Sequence, residues 1–146
     1  MKYKHTQIGY VVLVSFVVLF AFIYFMTKTA APDLGLVINS VSYVFLLLVV
    51  LFCCLTVSVD DRYLMASFGI GLFRRKILLS EIKSAETTKN KWYYGWGIRY
   101  LGTDGWMFNI SGLDAIKLEL KNGKKFRIGT DEPAKLVAAL KSSMSK

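Results

Sequence analysis

"AIKLELKNGKKFRIG", Ala115–Gly129, alternates apolar and polar residues on both sides of an Asn-Gly pair. Ile116, Leu118 and Leu120 interleave with Lys117, Glu119 and Lys121; Phe126 and Ile128 interleave with Lys125 and Arg127. A period of two means two strands, and parity fixes the loop between them. A two-residue Asn122-Gly123 turn sets Leu118 opposite Arg127 and mixes the faces. A three-residue Lys121-Asn122-Gly123 loop sets Leu118 opposite Phe126 and Ile116 opposite Ile128. It also places Gly123 at the left-handed position such loops need. Glu119 then faces Lys125 on the solvent side.

Working outward, "TDEPAKLVAALKSSM" reads as a helix. Thr130 or Asp131 is its cap, Pro133 lies in its first turn, and Leu136, Val137, Leu140 and Met144 fall on one stripe. Lys141 and Lys146 sit near the negative end of its dipole. Upstream, Leu55–Val59 and Tyr63–Phe68 read as strands around an Asp60-Asp61 turn. "RKILL" and "IKSAE" read as a third strand, bent near Ser80. Residues 92–108 hold all three tryptophans and four of the eleven glycines. Ile98–Leu101 and Trp106–Ile110 read as strands joined by Gly102-Thr103-Asp104-Gly105, with a register left open because both faces carry large apolar groups. Gly95 and Gly97 are read as relieving crowding at a bend. Trp96, Trp106 and Phe108 are expected in the core or facing the membrane.

The amino-terminal third is of another kind. Residues 8–26 and 34–55 carry no charge and are long enough to cross a bilayer at about 1.5 Å per residue. They are expected to form a helical hairpin, preceded by a short tail. Residues 1–55 thus form the tail and membrane hairpin, and 56–146 a cytoplasmic domain. Cys53 and Cys54 fall inside the second helix on this reading. A cleaved signal peptide is disfavoured, because the first apolar run exceeds the usual 7–15 residues. Lys2 and Lys4 lie on one side, with Arg62, Arg74, Arg75 and Lys76 beyond the second helix, against Lys28 in the hairpin loop. That count places both termini in the cytoplasm of a multi-pass protein of the cytoplasmic (inner) membrane. The Asn109-Ile110-Ser111 sequon is then a chance match.

Charge is uneven. Residues 1–55 carry three lysines against Asp33, net +2; residues 56–146 carry sixteen Lys/Arg against nine Asp/Glu, net +7. A basic domain beside a membrane points to anionic headgroups or to nucleic acid; membrane fixation and the pattern of the aromatics disfavour the latter. The sole histidine is His5, and there is no nucleophile elbow or P-loop, so no enzyme, metal or cofactor is expected. Neither membrane segment carries an ionisable Asp, Glu, Lys, Arg or His, which argues against an ion pathway.

"LTVSVDDRYLMASFG", "RRKILLSEIKSAE", "WYYGWGIRY" and "NISGLDAIKLELKNGKKFRIGTDEP" with the following "KLVAAL" resemble the bacterial pleckstrin-homology-like family, whose membrane-bound members carry two helices and then the domain. The resemblance spans Leu55 to Leu140. It implies an α+β protein: the two-helix hairpin, then a strongly bent antiparallel sheet or small barrel of about seven strands, capped by a C-terminal helix. Gly95, Gly97, Gly123 and Pro133 belong to its most specific pieces. It implies a binding module, not an enzyme. The basic cluster of phosphoinositide-binding relatives is replaced by Ser58-Val59-Asp60-Asp61-Arg62-Tyr63, so headgroup-specific recognition is not implied. Two candidate surfaces remain. Arg74, Arg75 and Lys76 are a candidate grip on anionic lipid, and Trp92, Tyr93 and Tyr94 a candidate partner groove. The expected role is a membrane-tethered module that organises a protein complex. The alternative is an accessory subunit of a larger transporter or enzyme, held through the membrane helices.

Overall fold

A computed structural model describes residues 2–29 and 32–144. The fold is α+β: two apolar helices near the N-terminus, two sheets, and a C-terminal helix. The helices are α1, Tyr10–Thr29, and α2, Pro32–Phe52. Both are long and apolar enough to cross a membrane, and their apolar side chains face outward. Pro32 opens α2, where its fixed φ and missing N–H suit a first helical position. Lys28, expected in the hairpin loop, lies in the last turn of α1; residues 30–31 and Lys146 lie outside the described residues.

The largest departure from expectation lies before α1. The presumed tail is strand β1, Tyr3–Ile8, paired antiparallel with β2, Cys54–Val59. Tyr3 pairs with Val59 and Ile8 with Cys54. The helical hairpin is therefore inserted between two neighbouring strands of one sheet. Helix α2 ends earlier than expected, at Phe52, where the next carbonyls are taken by the glycines that follow β1 and Phe68. The Gly9 amide donates to the Cys53 carbonyl at 2.8 Å and the Gly69 amide to that of Cys54 at 2.9 Å. Cys53 thus lies at a bend and Cys54 in a strand, not in a helix.

The first sheet runs β1-β2-β3-β4, with β3 at Tyr63–Phe68 and β4 at Arg74–Leu78. The expected third strand is in fact two. A 3-10 turn at Leu79–Glu81 carries the chain from β4 into β5, Ile82–Lys89, which belongs to the second sheet. That sheet runs β5-β8-β9-β7-β6, with β6 Gly97–Tyr100, β7 Trp106–Asn109, β8 Asp114–Leu120 and β9 Lys125–Gly129. Neither sheet closes on itself, so there is no barrel. The described residues give nine strands, not about seven, and β7 pairs with β9 in parallel.

The β8–β9 hairpin has the expected register: Ile116 opposite Ile128, Leu118 opposite Phe126, Glu119 opposite Lys125. Gly123 sits at φ +80° in the three-residue loop. The Glu119 carboxylate, however, accepts from Lys83 Nζ on β5 at 2.7 Å rather than from its cross-strand neighbour.

The core lies between the sheets. Leu55, Val57, Val59, Leu64 and Phe68 face Phe108, Ile116, Leu118, Phe126 and Ile128. Helix α3, Pro133–Met144, covers one end with Leu136, Val137 and Leu140, and Met144 packs at the margin. Burial of such side chains supplies about 1.5–3 kcal/mol each. Strand β1 is held at three places besides β2. Gln7 Nε2 donates to the Ser111 carbonyl at 3.1 Å, Ser111 Oγ donates to the Ile8 carbonyl at 3.1 Å, and His5 Nε2 lies 2.6 Å from Asp131 Oδ1.

Candidate functional site

The expected basic run is divided by the pleat of β4. Arg74 and Lys76 lie on the outer face opposite Ser67 and Met65, and Lys76 Nζ rests 3.7 Å over the Tyr63 ring. Arg75 pairs with the buried Ala66 and shares its inward face with Ile77. Successive strand residues face opposite sides, so the three cations do not form one patch. Arg75 and Ile77 instead line a cleft of about 510 Å³ between β4 and the second sheet.

The opposite wall comes from two turns. The β8–β9 loop supplies Lys124, with Lys125 and Phe126 following it. The β6–β7 turn is flanked by Tyr100 and Trp106, whose rings pack at 5.4 Å and 56°. That turn lies flat on β9: a Cβ on Gly105 would fall 1.9 Å from the Lys125 carbonyl oxygen. Register follows, with Tyr100 opposite Trp106 and Trp106 beside Phe126. The lining carries the cations Arg75 and Lys124 and no acid, over a floor of Ile77, Leu120 and Phe126, while Lys125 borders it from the strand position that faces Glu119 on the other side of the sheet. Such a surface accepts a ligand with a carboxylate or phosphate at one end and apolar groups at the other. Trp106 is half exposed in this cleft and not in the core. The sequence signal for it was the basic loop around Gly123, treated there only as a turn.

Behind the cleft the outer face of the second sheet is covered as well. Segment 90–95 folds over it: Asn109 Nδ2 donates to the carbonyls of Gly95 and Gly112 at 3.2 and 3.3 Å. Asn109 is fully buried, which removes the sequon from the surface. Beside it, Arg127 is buried where solvent was expected. Its Nη2 donates to Asp104 Oδ2 at 2.7 Å and its Nη1 to Asn90 Oδ1 at 3.3 Å, and its guanidinium lies 5.6 Å from the Tyr94 ring centroid. Lys117 Nζ adds a second cation 3.4 Å from Asp104 Oδ1. Burial pushes the Asp104 carboxyl up, but Arg127 and Lys117 outweigh it and hold it below the ordinary range. The cluster ties the β6–β7 turn, and so the cleft's aromatic wall, to the sheet.

Trp92, Tyr93 and Tyr94 form a 3-10 turn with successive edge-to-face ring contacts. Trp92 is 80% exposed and stands on the surface. Gly95 and Gly97 have positive φ, +67° and +97°, and no atom lies within 4 Å of a Cβ on Gly97. Conformation, not crowding, explains that glycine. Compared with known proteins, the chain matches no protein-family model, no curated protein and no solved structure.

Proposed function

We propose that the chain is a membrane-tethered, non-catalytic interaction module of the pleckstrin-homology-like kind, held at the cytoplasmic face of a bacterial inner membrane with both termini inside. Two sheets over one core with a single C-terminal helix support the fold reading; the parallel β7–β9 pair departs from it. Lys2, Lys4 and the arginines of the domain, against Lys28 at the far end of α1, support the orientation.

The observation that carries the reading is the cleft. Two cations, a paired tyrosine and tryptophan and an apolar floor suit an acidic, aliphatic-containing segment of a partner protein. The aromatics supply rigid contact area and the cations select against basic partners. A photo-crosslinking residue at Trp106, in the full chain in native membranes, tests this. The proposal expects an adduct that is lost on Arg75→Glu with Lys124→Glu. An adduct indifferent to charge reversal, or adducts arising only from α1 and α2, would instead favour the accessory-subunit reading, in which the helices make the contact.

A further inference from the structure

The positions of the helix ends fix which part of the domain meets the bilayer. Phe52, in the last turn of α2, packs against Phe68 at 5.4 Å and Phe73 at 5.2 Å. Gly69 lies so close to that turn that a Cβ there would fall 2.4 Å from the Val50 carbonyl oxygen. The β3–β4 loop, "GIGLF", is therefore pressed against the helix end, yet it leaves Ile70 73% and Leu72 66% exposed. On the other side of Phe52, a shallow groove joins Val12 of α1 to Trp96, Ile98 and Arg99. Trp96 is 42% exposed there, and Arg99 Nε donates to its carbonyl at 3.3 Å.

We infer that Ile70, Leu72, Phe73 and Trp96 form a footprint that sinks into the headgroup–acyl boundary of the bilayer crossed by α1 and α2, with Arg74 and Arg99 on the phosphates. The inference rests on the membrane-spanning reading of the helices. Exposed apolar groups clustered beside a spanning segment have lipid as their natural cover, and tryptophan favours the interfacial layer. Arg74 directly follows Phe73, which packs on Phe52 in the last turn of α2, and its ladder partner Ser67 pairs with Thr56, four residues past that helix end. That position lies within the reach of the surface potential. The acidic Asp60-Asp61 turn is at the other end of β2, away from the helices. The footprint uses different residues from the cleft, and of the expected lipid-gripping run it retains only Arg74.

The test uses the full chain in nanodiscs of phosphatidylcholine and phosphatidylglycerol, the acyl chains brominated near the headgroup. One variant keeps Trp96 alone (W92F/W106F) and another Trp106 alone (W92F/W96F). The footprint requires quenching of Trp96 at least about twofold stronger than that of Trp106, with the difference lost on Ile70→Asp/Leu72→Asp. Equal quenching of the two, or none at Trp96, would overturn it. An alkaline carbonate wash of liposomes carrying the same chain separates the two failures. A chain that washes off overturns the spanning reading and the footprint together; a chain that stays while Trp96 is unquenched overturns the footprint alone.

Discussion

Strands β8 and β9 are joined by residues 121–124; β1 and β2 are joined by residues 9–53, the whole helical hairpin. Both pairs are antiparallel and both feed the same core. In the first, the loop closes at almost no entropic distance and the register is set locally by Gly123. In the second, an unstructured connection of that length would add an entropic penalty growing as the logarithm of its length. Here the two packed helices bring the strand ends together, with the Gly9 amide on the Cys53 carbonyl. The domain therefore depends on its membrane segment for one edge strand, whereas the hairpin depends only on itself. A domain started at β2 would lack Tyr3, His5 and Gln7 and would expose the ladder edge of β2.

Experiments that remove one side of this contrast rank accordingly. Deleting residues 1–8 is expected to have the largest effect: loss of cooperative unfolding of the domain in detergent or nanodiscs, read by near-ultraviolet circular dichroism. Joining β1 to β2 through a short glycine-containing turn in place of residues 9–53 should restore it in a water-soluble chain. Next, Leu118→Ala in β8 should lower stability by about 2–5 kcal/mol in denaturant titration, since the side chain is fully buried between the sheets.

Asp104→Ala should follow, at about 3 kcal/mol, because it leaves Arg127 buried without its carboxylate. The folded-state Asp104 carboxyl titrates below its ordinary value, so its contribution is complete above the ordinary carboxylate range and is lost as pH falls through the folded value. Asp104→Asn should flatten that acid limb. Tyr3 supplies the opposite limb. Burial, with Glu132 nearby, pushes its hydroxyl up to about 12. Stability held by neutral Tyr3 is complete below the ordinary tyrosine value and is lost as pH rises toward 12. Tyr3→Phe should remove this alkaline limb while leaving the acid one, separating β1 from the second sheet. The smallest effect is expected of Gly123→Ala, about 1 kcal/mol for a Cβ at φ +80°.

The same contrast explains what could be read from the chain. The β8–β9 hairpin was legible because parity allowed one loop length. Strand β1 was not: Tyr3–Ile8 has a single short alternation, and its partner lies beyond two membrane helices. The helices themselves were legible from length and lack of charge, but not the end of α2, where strand pairing overrides an unbroken apolar run at Cys53-Cys54-Leu55. The register of β6 and β7 stayed open for a physical reason. Met107 and Asn109 are buried on one face and Phe108 on the other, so no polar side marks solvent. Arg127 misled for the same reason, since segment 90–95 covers a face that alternation assigns to water. Of the residues lining the cleft, the sequence singled out Arg75 as a lipid contact, Trp106 as core or membrane-facing and Gly123 as a turn residue, none of them for this site. Tyr100, Trp106 and Lys124 meet Arg75 through turns whose proximity no linear spacing encodes.

Amide hydrogen exchange of residues 2–8 in the full chain, reconstituted in nanodiscs, tests the inserted-hairpin architecture most directly. Pairing with β2 predicts that the ladder amides of Tyr3–Ile8 exchange as slowly as those of Cys54–Val59. Exchange at the rate of an unstructured tail, with β2 still protected, would contradict it.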